Sequence, residues 1–330
     1  MYYLLWLLCS ALRALATSRT SPPSGCLVVS KTAASSQYVT VQAAIDALST
    51  SSPASQCVFI YQGTYSEQVY IPTRKAALTI YGYTEDTSIY SRNMVTITQR
   101  RSQDDSANND LTATLRAWSA NLKVYNINLV NTRGSGSQAL AISAQADMQG
   151  YYGVQFKGFQ DTVLANSGAQ VYAKCYIEGA TDFIFGQRAA AWFDSVDIRV
   201  LAASTGYITA NGRDSSLNPS YYVINKGTIA AASGNSVKPQ AYYLGRPWRS
   251  YARVVFQSTN MTNVVNSAGW SVWGTSDTRT DNVYFGEYSN AGAGASGTRA
   301  SFAKQLASPV SISSTLGSSY VGWVDTSYLS

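Results

Sequence analysis

Residues 158–186 read GFQDTVLANSGAQVYAKCYIEGATDFIFG. Two aspartates stand in it 21 residues apart, Asp161 after an apolar run and Asp182 ahead of Phe183, Ile184 and Phe185. Around them, short segments rich in Val, Ile, Tyr and Thr alternate with Gly, Asn, Asp and Ser, the punctuation of strands and turns. The same texture runs through VFIYQG, LTIYGY, LKVYNINLV, QVYAKCYI and ARVVFQS without a long helix-period segment. That argues against alternating strand–helix units. A single Asn211-Gly212 pair is too little of the two-residue turn chemistry that an antiparallel sandwich wants.

Mid-strand positions Val124, Val154, Tyr172, Val196, Val223 and Val255 recur at intervals of roughly 20–30 residues, the range of solenoid repeats. The predicted fold is all-β, a parallel β-helix in which each short strand stacks on its equivalent in the next coil. Val41, Ala44, Ile45 and Leu48 fall at helical spacing behind Thr40, an N-cap residue, and mark a short helix placed to close the first coil. No shift of composition divides residues 17–330, which read as one domain.

A coil of about 21 residues puts Asp161 and Asp182 at equivalent positions, about 4.8 Å apart across stacked strands. Gln138 lies 22 residues before Gln160 and lands on the preceding coil. Two carboxylates so close do not both ionise comfortably, and their titrations split. One acid and one base near neutral pH is the outcome that catalysis uses. Isolated aspartates more often cap turns; the coil-length spacing and the flanking Gln160 favour a site. Further along, Leu244-Gly245-Arg246-Pro247-Trp248 offers a guanidinium in a stiff turn, able to hold one aspartate ionised, and an indole face. Gly63, Tyr65 and Glu67 fall in a turn and the start of the next strand, where Glu67 also reads as a plain edge-strand charge.

Composition narrows the chemistry. Of 330 residues, 45% are hydrophobic and 13% charged, so the chain has material for a large core. There is no histidine, which excludes Ser-His-Asp and Cys-His machinery and His-ligated zinc. The formal charge of +6 comes without a Lys/Arg block, which suits diffuse attraction to a polyanion better than a nucleic-acid footprint. Residues 1–16 read as a secretory signal, apolar from Tyr2 to Cys9 and ending Ala14-Leu15-Ala16. Ser18 to Ser24 reads as a loose leader. The mature chain retains Cys26, Cys57 and Cys175, which allows one disulfide and leaves a free thiol, with Cys175 placed mid-strand. Asn260-Met261-Thr262 is a glycosylation sequon.

The motifs Gly63-x-Tyr65-x-Glu67, Gln138-Ala139-Leu140, Gly158-Phe159-Gln160-Asp161-Thr162, Asp182-Phe183-Ile184-Phe185-Gly186 and Leu244-Gly245-Arg246-Pro247-Trp248 stand in the order found in pectin methylesterases. The sequence resembles that family over the whole mature chain, and its secreted fungal branch most. Val163-Leu164 departs from the more usual continuation of the Gln-Asp-Thr motif, which ends in Tyr. The resemblance implies a right-handed, pectin-lyase-like β-helix that removes methyl groups from methyl-esterified homogalacturonan, outside the cell. It makes Asp182 the nucleophile, Asp161 the proton donor and acceptor, Gln138 and Gln160 the oxyanion donors, and Arg246 the group orienting Asp182. Trp248, Phe183, Tyr65 and Glu67 become candidate substrate contacts. It implies neither cofactor nor metal, a monomer, and no nucleic-acid or membrane partner. Two rivals on the same scaffold are a pectin-cleaving glycosidase or lyase and a non-catalytic polysaccharide-binding solenoid. The spacing alone does not say which aspartate attacks.

Overall fold

The computed structural model describes residues 17–330; the signal expected at residues 1–16 lies outside the described residues. Three sheets run the length of the molecule, with 11, 7 and 8 strands. Successive coils visit them in turn. Gln149–Tyr152, Gln155–Lys157 and Val163–Ala165 make one coil, and Ser167–Ala173, Tyr176–Gly179 and Thr181–Gly186 make the next. Their pairing is parallel, with Gln149 opposite Gln170, Gln155 opposite Tyr176 and Val163 opposite Ile184. The chain is a parallel β-helix.

One corner recurs on seven successive coils, from the fourth strand of the 11-stranded sheet to the tenth. Asn126, Gly153, Lys174, Ser195, Lys226, Ser258 and Ser289 all take φ between 49° and 59°, the left-handed region. A single residue there turns the chain sharply from one sheet to the next. The stacking does not lapse at the bend, because the Gly153 N–H donates to Ala173 O, Lys174 to Asp194 O and Ser195 to Asn225 O. Gly153 is required for space as well, since a Cβ there would lie 2.8 Å from Asn126 Nδ2. Val154 and Val196 belong to this corner and not to mid-strand, as the spacing had placed them; both still point into the tube.

The tube is filled by aliphatic side chains and an aromatic stack. Tyr151, Tyr172 and Phe193 lie face to face with centroids 4.9 and 4.6 Å apart. The residues two places before the tyrosines on the same strands are fully buried amides: Gln149 accepts from Tyr151 OH and Gln170 from Tyr172 OH, so each buried hydroxyl is satisfied. Cys175 is buried and free, and Cys26 is disulfide-bonded to Cys57.

Helix α1 (Val41–Ala47) closes the first coil, with Thr40 accepting from Ala43 N as its N-cap, as the sequence predicts. The cap also explains the motif at residues 63–67, though not as a substrate contact. Both oxygens of Glu67 accept from the helix's first amides, Val41 N and Gln42 N, each at 2.9 Å. Tyr65 is 0% exposed in the core, its hydroxyl donating to Tyr61 O, and burial pushes its phenol up to about 12. These two residues tie cap to coil.

The C-terminal segment covers one outer face of the coils. Residues 306–330, with α2 (Ile312–Leu316) inside them, pack Leu316, Trp323, Val324 and Tyr328 against Tyr125, Tyr152, Trp192 and Val223 on the outside of the 11-stranded sheet. The leader is also held: Arg19 exchanges backbone bonds with Thr84 and stacks over Tyr81 at 4.7 Å. A charged acceptor serving two helix amides is worth about 1.5–3 kcal/mol per bond. Glu67→Ala is therefore expected to lower unfolding free energy by about 2–4 kcal/mol, measured by urea titration; an unchanged midpoint would remove the cap from the account.

Candidate active site

On its outward face the 7-stranded sheet carries an aligned row of side chains. Register places Ser143, Leu164, Phe185, Ala210 and Arg246 in one row. A cleft of about 400 Å³ opens beside this row, lined by Gln138, Gln160, Asp161, Asp182, Arg246 and Trp248 among others. Six of the nine predicted site residues are thus brought together. Glu67 and Tyr65 are at the cap, as described. Phe183 is 0% exposed and points into the tube, where a Cβ on Gly179 would fall 2.4 Å from its ring; it is core, not cleft. Its neighbour Phe185 is the aromatic that reaches the cleft, 6.0 Å from Trp248.

The alternation of strand side chains does not by itself aim Asp182 outward while Phe183 and Ile184 both face in. A register shift between Thr181 and Ile184 does so, and Asp182 sits on it at φ 50°. Such a bulge re-aims one side chain. Asp161 occupies the matching place one coil before, at φ 64°, its N–H donating to Thr181 O. Both aspartates therefore hold a left-handed backbone that L-residues other than Gly, Asn and Asp rarely take. Gln160 pairs with Thr181, and Ala139 N donates to Gln160 O, which brings Gln138 alongside.

Arg246 meets Asp182 bidentately, Nε to Oδ1 at 2.9 Å and Nη2 to Oδ2 at 2.8 Å. It lies in the strand Tyr242–Pro247, not in a turn, and two coils past Asp182. The segments 201–205, 212–220 and 232–241 lengthen those coils beyond the 21-residue repeat. Gly245 lets the strand approach, since a Cβ there would lie 2.0 Å from Thr209 Oγ1. The guanidinium packs over two rings, 4.0 Å from the Tyr207 centroid and 4.4 Å from that of Trp273, cation–π contacts that help hold it in place beside Asp182.

Sequence reasoning missed Tyr207, Trp273, Gln103 and Asn109. The last three line the cleft, and Asn109 Nδ2 donates to Asp161 Oδ2 at 3.2 Å. Trp273 and Asn109 come from connections outside the strand register, where coil spacing is silent; Tyr207 lies on a strand, but the long connections between it and its rung partner Tyr243 hide that register from the sequence.

Both aspartates are 7% exposed, and burial drives both titrations upward. The environment then separates them. Burial and the neighbouring Asp182 charge together hold Asp161 well above the ordinary range, against smaller opposing effects of Asn109 and Arg246. At Asp182 the Arg246 guanidinium pulls back against burial. The pair thus favours one proton, on Asp161, with Asp182 as carboxylate. An ionised nucleophile or base, a neighbouring acid and free amide donors from Gln138 and Gln160 are the equipment for acyl transfer.

Asp161's folded titration lies above its ordinary 3.8, so the stability this brings is complete below that pH and is lost as pH rises through the folded value. Asp161→Asn cannot ionise. Its melting temperature is expected to gain on that of the parent as pH rises from about 4 through Asp161's folded titration; a pH-independent difference would mean that Asp161 carries no buried proton.

Comparisons with known proteins find relatives over nearly the whole chain. The family model described as Pectinesterase matches residues 27–306. The chain is 56% identical to a pectinesterase of Aspergillus aculeatus over 96% of each chain, and 54% identical to one of Aspergillus niger over 97% of this chain and 96% of the other. The crystal structure of the pectin methylesterase from Aspergillus niger in deglycosylated form superposes with a TM-score of 0.88 at 40% identity, over 94% of this chain and 100% of that one.

Proposed function

The chain belongs to the pectinesterase family and is a carboxylic ester hydrolase; from that premise we propose that it removes C6 methyl esters from homogalacturonan through Asp182 and Asp161. The observation that carries the assignment of roles is the asymmetry of the buried pair: Arg246 holds Asp182 with two bonds, and Asp161 has no cation of its own. Asp182 attacks the ester carbonyl carbon, forming a C–O bond as the carbonyl electrons move to oxygen. Gln138 and Gln160 donate to that oxyanion, where loss of one donor typically costs about 10²–10³ in rate. As the ester C–O bond breaks, Asp161 gives its proton to the departing methoxy oxygen, and methanol leaves. Asp161, now a carboxylate, takes a proton from water, whose oxygen attacks the acyl carbon and releases Asp182. Both aspartates return to their starting states.

Trp248 and Phe185 give the cleft apolar walls against the sugar ring and the ester methyl. The scheme needs neither cofactor nor metal. Residues 1–16 act as the signal, and residues 17–330 as a monomeric secreted catalytic domain. The Cys26–Cys57 disulfide supports an oxidising destination.

Methanol release from methylated pectin tests the roles. Asp161→Asn is expected to lower kcat by about 10²–10⁴-fold, and Asp182→Asn to abolish turnover. Arg246→Lys keeps the charge but loses the fork, with an expected loss of about 10–100-fold. Near-parental rates in either aspartate variant would overturn the mechanism.

A further inference from the structure

We propose that Asn109 is a positioning residue for Asp161, fixing which of its two carboxyl oxygens carries the proton that is transferred. The inference rests on the reading of Asp161 as the acid. Asn109 Nδ2 donates to Asp161 Oδ2. An oxygen accepting that bond is a poor place for a proton, so the proton is left on Oδ1, the oxygen free to face the ester. When the Oδ1–H bond breaks toward the methoxy oxygen, its electron pair stays on the carboxyl, and the Asn109 donor stabilises the carboxylate that forms.

The connection that carries Asn109 is held from four directions. Gln103 Nε2 donates to Asn109 Oδ1, so the amide nitrogen is the end left for Asp161. Gln103 N donates to Gln138 O, which ties this segment to a coil of the site. Thr112 Oγ1 donates to Asn109 O, and Leu140 N in turn donates to Thr112 Oγ1. Asp110, the next residue, accepts from Arg116, from Trp118 Nε1 at 2.9 Å and from Ser143 Oγ at 2.8 Å. An amide whose backbone is clamped on both sides is more than a passing surface contact.

The charged groups that face Asp161 are Asp182 from the following coil and Arg246 from two coils beyond that one. On Asn109's own segment, Asp110 is engaged by Arg116 and Asp104 by Arg133, so neither is turned on Asp161. Loss of the Asn109 donor therefore acts on Asp161 in one direction, raising the pH at which its proton leaves.

The experiment is the pH profile of methanol release by the full chain, for the parent, Asn109→Ala and Gln103→Ala, with Asp161→Asn alongside. The basic limb, set by proton loss from Asp161, is expected to move up by about one pH unit in Asn109→Ala and by less in Gln103→Ala, with kcat at the optimum about tenfold lower and KM little changed. Asn109→Leu, near in shape but without a donor, replaces the alanine variant if that fails to fold. A uniform drop in rate with the limb unmoved, or a rise in KM alone, would overturn the inference and leave Asn109 as cleft wall. If Asp161→Asn retains activity, it is the reading of Asp161 that fails, and the limb no longer reports on Asn109.

Discussion

Backbone hydrogen bonds between coils hold each strand about 4.8 Å from the next, and the site exists because of that separation. It brings Gln138, Gln160, Asp161, Asp182 and Arg246, spread over more than a hundred residues of chain, into one cleft. No long-range loop closure has to be arranged for each of them separately. The parallel ladder does it once, and the repeated left-handed corners keep the ladder in step where it bends. The same constraint explains why the two carboxylates endure each other. They are pressed together by a scaffold whose cohesion lies in the tube, and Arg246 on one side relieves part of the repulsion.

The strain is local. Asp161 and Asp182 take up left-handed backbone beside a register shift, a costly conformation that appears where function needs a side chain re-aimed. Aspartate is among the few residues that tolerate it. The residue type thus meets a backbone requirement and a chemical one together. Arg246 is set with similar care, by a glycine that lets its strand close in and by two aromatic rings that help hold it beside Asp182.

Much of this was legible from residue spacing. The 21-residue interval holds because the two coils around Asp161 and Asp182 have no insertions; the strands there pair at that offset throughout. Spacing alone failed to place Arg246, because three long connections stretch the coils that lead to it. It also failed for anything borne on a connection, hence the silence about Asn109 and Trp273. Tyr65, Glu67 and Phe183 show a different limit. A motif marks that residues matter without saying for what, and the first two serve the cap while the third fills the tube. The C-terminal cover was not foreseen because Trp323, Val324 and Tyr328 lie in a segment without strand or helix period, and only the sheet face they meet gives them meaning.

The aromatic stack inside the tube has a consequence of its own for how the enzyme fails. Tyr151, Tyr172 and Tyr222 are wholly enclosed, and enclosure pushes each phenol far above the ordinary 10.0. Unfolded, the same hydroxyls would ionise near that ordinary value. Strong base consequently draws the chain toward the state in which these protons can leave, and because the rings lean on one another across coils, they are released together. The solenoid's centre is thus its alkaline fuse, placed where neither the cleft nor the surface gives warning of it.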